Sequence, residues 1–197
     1  MPTSRGLLLL SGGLFLALAG LAAAVGVLPT DAAVRDAVLT LAVPPVVGLM
    51  RVVNYAGDWR LLLPGTLALL LVFQRARARW WVWVGLMVAA PLAEGALKGV
   101  VGRLRPEGLS FGFPSGHATA AAAFFGALIY LAGTLPASAC RAVRALAIVA
   151  IVLVATARVI LRAHWPSDVV GGVALGLALA AAAALLARDQ RFSTGVR

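Results

Sequence analysis

The chain has 197 residues, of which 62% are hydrophobic and only 12% charged, and its mean hydropathy is +0.98. A soluble domain is about a quarter charged, so this composition excludes one and points to an integral membrane protein. The apolar runs are long and unbroken, which selects an all-α bundle over a barrel of short alternating strands.

At roughly 20 residues per crossing, six transmembrane helices use most of the chain and leave one membrane-embedded domain over 1–197. The net charge of +10 is not distributed like a nucleic-acid surface. Arg5, Arg75, Arg77, Arg79, Arg141, Arg144, Arg188, Arg191 and Arg197 fall on one side of the six-span layout, where Asp189 alone opposes them. Lys98 and seven arginines on the other side meet six acids. That asymmetry follows the positive-inside rule. It predicts a multi-pass protein of the inner (plasma) membrane with both termini cytoplasmic and no nucleic-acid partner. Cys140 is the single cysteine, so there is no disulfide framework to read. Oligomeric state is not encoded in these patterns.

In chain order, the first span is expected over about Gly6 to Leu28. Arg5 and Ala22-Ala23-Ala24 give it the look of a signal peptide, but its apolar core is longer than the usual signal, which favours an uncleaved span. Between Pro29 and Asp58, Asp31, Arg35 and Asp36 alternate with Val34, Val38 and Leu41 at helical spacing until Pro44-Pro45. This reads as a short amphipathic helix on the outer leaflet, with a second apolar stretch to Tyr55. Span two is expected over about Trp59 to Phe73 and span three over Trp80 to Val100, entered through interfacial tryptophans. Spans four, five and six are expected over Pro114 to Leu135, Val143 to Leu161 and Pro166 to Ala187. No fixed-period repeat is present.

Three polar pieces lie at the borders of these runs and share the non-cytoplasmic face: Lys98-x6-Arg105-Pro106, Pro114-Ser115-Gly116-His117, and Arg158-x5-His164-x3-Asp168. They hold both histidines and the only lysine of the chain. A charge in a bilayer costs about 2.5–3.5 kcal/mol even on insertion scales, so such a collection needs a purpose. Pro114 at a first helical position would turn the N–H groups of Ser115, Gly116 and His117 outward as an anion site, with Gly116 allowing close approach. Asp168, at the third position of a helix opened by Pro166, can fold back over the preceding turn and accept a hydrogen bond from His164. That would leave the other ring nitrogen as a nucleophile. Lys98, Arg105 and Arg158 supply cations suited to phosphate oxygens.

Together the three pieces resemble the signature of the type 2 phosphatidic acid phosphatase superfamily, which joins membrane lipid phosphatases and vanadium haloperoxidases on one helical core. The resemblance covers about residues 94–175, and His164-Trp165-Pro166-Ser167-Asp168 before Gly171-Gly172 looks most like bacterial members acting on isoprenoid pyrophosphates or phosphatidylglycerophosphate. It implies a membrane-lipid phosphate substrate and attack by His164, oriented by Asp168, with His117 as general acid. Lys98, Arg105, Ser115, Gly116 and Arg158 would hold the phosphate, with no metal and no cofactor. The expected substrate order is polyprenyl (undecaprenyl) pyrophosphate, then phosphatidylglycerophosphate, then phosphatidic acid. A lipid phosphotransferase and a non-catalytic phospholipid-binding protein remain compatible with the same residues. One position departs from the family pattern: Ala157 stands where a serine usually precedes the arginine.

Overall fold

The computed structural model describes residues 4–188. The expected Arg191, Arg197 and Asp189 of the C-terminal tail lie outside the described residues. Nine α-helices are found among them: α1 (Ser4–Val25), α2 (Pro29–Leu39), α3 (Pro44–Asn54), α4 (Trp59–Val72), α5 (Gln74–Ala78), α6 (Trp80–Val101), α7 (Gly116–Leu131), α8 (Ala137–Ile160) and α9 (Pro166–Arg188). Five of these (α1, α6, α7, α8, α9) are long and apolar enough to cross a membrane. The α2–α3 pair passes the same test jointly but bends by 115°.

The segment expected over about Trp59 to Phe73 is helical to within a residue as α4, but it is short for a full crossing. The 14 residues of α4 rise about 21 Å, less than a hydrocarbon core of about 30 Å. The five-residue α5 carries the chain on to α6.

The centre of the bundle is α7 against α9. Ala118, Ala121, Ala122 and Ala123 on α7 and Ala174, Ala178, Ala180 and Ala181 on α9 are all buried. In lipid, helix association depends on close van der Waals contact, which small side chains permit. Gly176 is where the approach is tightest, a Cβ there meeting the Thr119 carbonyl oxygen, and at Gly172 a Cβ would sit 2.6 Å from the Ser115 carbonyl oxygen. α1 covers α9, with Phe15 stacked on Phe113 at 5.9 Å between centroids. α4 and α6 close the other flank through Leu62, Leu69, Trp83 and Leu86 around Phe124 and Leu131.

Two helix starts differ from expectation. α7 begins at Gly116 with Ser115 as its N-cap, so Pro114 lies outside the helix, joined to Phe113 by a cis peptide bond. α2 turns only one of its two acids to solvent: Asp36 is exposed, but Asp31 is 1% exposed while Val34 is open. The reason is an ion pair with the buried Arg103, which outweighs the amphipathic pattern.

Candidate active site

The three polar pieces and the starts of α2 and α4 meet at one end of the bundle. Asp168 opens α9 as predicted, at its third residue. Its Oδ2 accepts a hydrogen bond from the Trp165 N–H at 3.0 Å, the fold-back of a first-turn carboxylate. The same oxygen lies 3.5 Å from His164 Nδ1, so Nε2 is the ring atom left for chemistry. His164 is 1% exposed and Asp168 is fully enclosed. Burial is the main cause that holds the His164 imidazole below its ordinary 6.5; Asp168 opposes the shift, and Arg158 and Arg105 add to it. The ring is therefore neutral, with a lone pair, at physiological pH.

Ser115 is wholly enclosed and caps α7. Its N–H does not point to the site as expected but donates to the Asp168 carbonyl oxygen at 3.0 Å, tying the two helix starts together. Its Oγ has no partner, and neither has Arg158 Nε. Unpaired buried donors are costly, and here they cluster where an anion would satisfy them.

Arg158, near the end of α8, donates from Nη1 to Asn54 Oδ1 at 2.7 Å. Asn54, the last residue of α3, thus anchors the guanidinium from a separate helix, while Ala157 packs with Met50 and Ile160 in an apolar cluster. Asn54 reaches Arg158 from 104 positions away in the chain.

His117, in the first turn of α7, has Asp58 Oδ2 3.8 Å from its Nε2. Asp58 Oδ1 caps α4 by accepting from the Arg60 N–H at 2.9 Å. This second histidine–carboxylate contact was not foreseen. It depends on Gly57, where a Cβ would stand 2.7 Å from the His117 carbonyl oxygen, so only glycine lets the turn before α4 lie against α7. Arg105, Arg158 and His164 all lie within electrostatic reach of His117.

The segment between α6 and α7 forms a tight hairpin. Leu104 and Phe111 make an antiparallel bridge, and Arg105 N–H donates to the Ser110 carbonyl at 3.1 Å. Alternation along such a segment leaves Leu104 exposed while Arg103 is buried and Arg105 half-buried. Arg105 Nε donates to the Phe111 carbonyl at 3.3 Å.

Lys98 is not the free cation expected. Its Nζ is paired with Glu94 one helical turn back. The Glu94 carboxylate lies over Gly116, where an added Cβ would be 2.8 Å from Oε1. A carboxylate thus occupies the approach to the α7 N-terminus, where the dipole favours negative charge. Among the described residues, no three His, Cys, Asp or Glu side chains gather into a metal-binding group.

An oriented, neutral imidazole beside a second histidine, two arginines and orphaned donors has the parts needed to attack a phosphate ester. Residues 107–192 match the PAP2 superfamily. The chain is also similar to the crystal structure of a transmembrane PAP2-type phosphatidylglycerolphosphate phosphatase from Bacillus subtilis. The two share 28% identity, with a TM-score of 0.80 over 98% of this chain and 100% of that one. No curated protein sequence matches. Fold and site together define a membrane phosphatase, an enzyme that hydrolyses phosphate esters. The PAP2 superfamily match spans residues 107–192, the part of the chain that holds the second and third polar pieces.

Proposed function

We propose that the protein is a metal-independent lipid phosphatase working through a phosphohistidine on His164. The observation that carries this reading is His164 Nδ1 held 3.5 Å from the enclosed Asp168 carboxylate, which leaves Nε2 as the nucleophilic atom. Nε2 donates its lone pair to phosphorus, and the bond to the leaving oxygen breaks as that oxygen takes a proton from His117. A water then loses a proton to His117 and attacks phosphorus, the P–N bond breaks, and phosphate leaves. Arg105, Arg158, the Ser115 hydroxyl, the Gly116 N–H and Lys98, once released from Glu94, hold the non-bridging oxygens. Fixed charge of this kind is most of what phosphoryl transfer requires.

Likeness to a phosphatidylglycerolphosphate phosphatase supports phosphatidylglycerophosphate as a substrate. The His164–Asp168 run followed by Gly171-Gly172 supports polyprenyl pyrophosphate as a second. The site end faces the non-cytoplasmic side, on the strength of the exposed arginines gathered at the other end.

The test is to incubate detergent-purified protein with each lipid carrying labelled phosphate, quench, and map the label. Acid-labile, base-stable label on His164 with release of free phosphate is expected, unaffected by EDTA and blocked by vanadate, which can take the five-coordinate shape of the transition state. Label passing to a second lipid in place of water would make the protein a transferase. EDTA-sensitive turnover with no labelled histidine would sink the scheme. For orientation, Leu109→Cys in a Cys140→Ala background should react with a membrane-impermeant maleimide in intact cells, and Ser138→Cys only after lysis.

A further inference from the structure

Behind the His164–Asp168 pair lies a buried polar chain that the reaction scheme does not use. Asp168 Oδ1 is 3.1 Å from Arg103 Nη1. The same Nη1 donates to Ser167 Oγ at 2.6 Å, and Arg103 Nη2 is paired with Asp31 Oδ2. The Ser167 hydroxyl donates to Asp31 Oδ2 at 2.8 Å, and the Ser167 N–H donates to Asp31 Oδ1 at 2.9 Å. The Leu28 N–H adds a bond to Asp31 Oδ2 at 3.1 Å. The side chains of Asp31, Arg103 and Asp168 are at most 1% exposed.

We propose that Arg103 and Asp31 are positioning residues for the reaction: Arg103 fixes the Asp168 carboxylate from behind, and Asp31 fixes Arg103. This assignment rests on the reading of His164 as nucleophile. Asp168 has two oxygens with separate duties. Oδ2 faces Trp165 N–H and His164 Nδ1, while Oδ1 has Arg103 as its charged neighbour. A planar guanidinium can hold acceptors on two nitrogens in one fixed geometry, which an ammonium cannot. Arg103 uses that fork to join α2, through Asp31, to the start of α9, through Ser167 and Asp168. The hairpin closed by Leu104 and Phe111 delivers it there. Plain structural pairing is the competing role, because a buried ion pair of this kind can be replaced by apolar residues with no loss of stability. What distinguishes positioning is that charge on Arg103 or Asp31 is felt at His164.

The other charged groups facing His164 are Arg158 from α8, Arg105 from the hairpin and His117 from α7. These stay constant when Arg103 or Asp31 is changed. Removing the negative charge with Asp31→Asn should lower the pH midpoint of His164. Removing the positive charge with Arg103→Gln should raise it. Each shift should be about half a pH unit, below the 1–3 units of a directly contacting charge. Arg103→Lys keeps the charge but loses the fork. It should leave the midpoint near wild type while kcat falls about tenfold.

The measurement is NMR titration of the histidine ring protons in full-length protein in detergent micelles. The chain has two histidines, and His117→Ala assigns them. Opposite shifts for Asp31→Asn and Arg103→Gln support the proposal. Unmoved midpoints, or shifts of the same sign, overturn it even if both variants melt earlier. If Arg103→Gln does not fold, the Asp31→Asn titration and the Arg103→Lys kinetics decide alone. The parent reading is tested separately by phosphate release from His164→Ala. Activity in that variant would remove the nucleophile and leave the titration result standing as a property of the pair.

Discussion

At the end of the bundle where α7 and α9 begin, Asp31, Arg103, His164 and Asp168 are each no more than 4% exposed. At the opposite end Arg5, Arg75, Arg77, Arg141 and Arg188 lie open, with Arg77 bonded to the nearby Leu71 carbonyl and Arg188 over the Tyr130 ring of α7. The same residue type thus does two kinds of work. Exposed arginines act by their sum, which sets orientation in the bilayer. Enclosed charges act by position, because each must find a partner or incur a large desolvation cost. Substitutions at the site end should therefore have effects that depend on the atom removed, and substitutions at the far end effects that depend only on total charge.

The largest effect is expected at the histidines. His164→Ala removes the atom that forms the bond to phosphorus and should lower kcat by more than about 10⁴-fold. His117→Ala removes proton transfer alone and should cost about 10²–10⁴-fold. Phosphate release from a lipid monoester measures both. Equal and small losses would dissolve the contrast between the ends. The pH profile sharpens it. His164 acts as the neutral base and burial holds its pKa below 6.5, so kcat/KM should stay high as pH falls to 6.5. It should decline only at lower pH, as the ring gains a proton. An acid limb centred above 7 would assign that limb to another group.

Next come the residues that hold the working groups. Asn54→Leu takes away the oxygen that fixes Arg158 at 2.7 Å and should raise KM while costing about tenfold in kcat/KM, because an unpaired buried hydrogen-bonding group costs about 1–3 kcal/mol. Asp58→Asn leaves the α4 cap able to accept from Arg60 N–H but removes the charge 3.8 Å from His117. A drop of about three- to tenfold in kcat with unchanged melting temperature is expected, since the contact is part-exposed and screened. A fall in melting temperature without a fall in kcat would make Asp58 a cap and nothing more.

These residues also mark what could be read from the chain and what could not. The three polar pieces, the helix borders near Trp80, Pro166 and Val101, and the placement of Asp168 one turn after His164 are local facts of spacing, and periodicity exposes them. Asn54 with Arg158, Asp31 with Ser167 and Asp31 with Arg103 are separated by 104, 136 and 72 positions, and no period links them. Amphipathic spacing in α2 pointed Asp31 outward because the pattern reports which residues share a face, not what that face meets. Pro114 was misplaced for a related reason. Proline suits a first helical position on propensity, but Ser115 takes the cap, its N–H bonded to the Asp168 carbonyl oxygen. Glu94 was available from its i,i+4 spacing to Lys98, a pairing that helices favour.

The smallest effect is expected from Arg75→Gln and Arg141→Gln at the far end. Both side chains are exposed, and surface substitutions away from buried features fall within about 0.5 kcal/mol. Activity and melting temperature of the purified double variant should match wild type within about twofold and about 2 °C. Inserted in cells, however, the variant lacks two of the cations that hold that end in the cytoplasm, so a fraction should insert inverted and show Ser138→Cys to an impermeant maleimide. Unchanged chemistry with altered orientation would separate charge acting by sum from charge acting by position. A loss of phosphate release in the purified variant, at the end remote from His164, would mean that the two ends are coupled through the α7–α9 contact and that the division drawn between them is wrong.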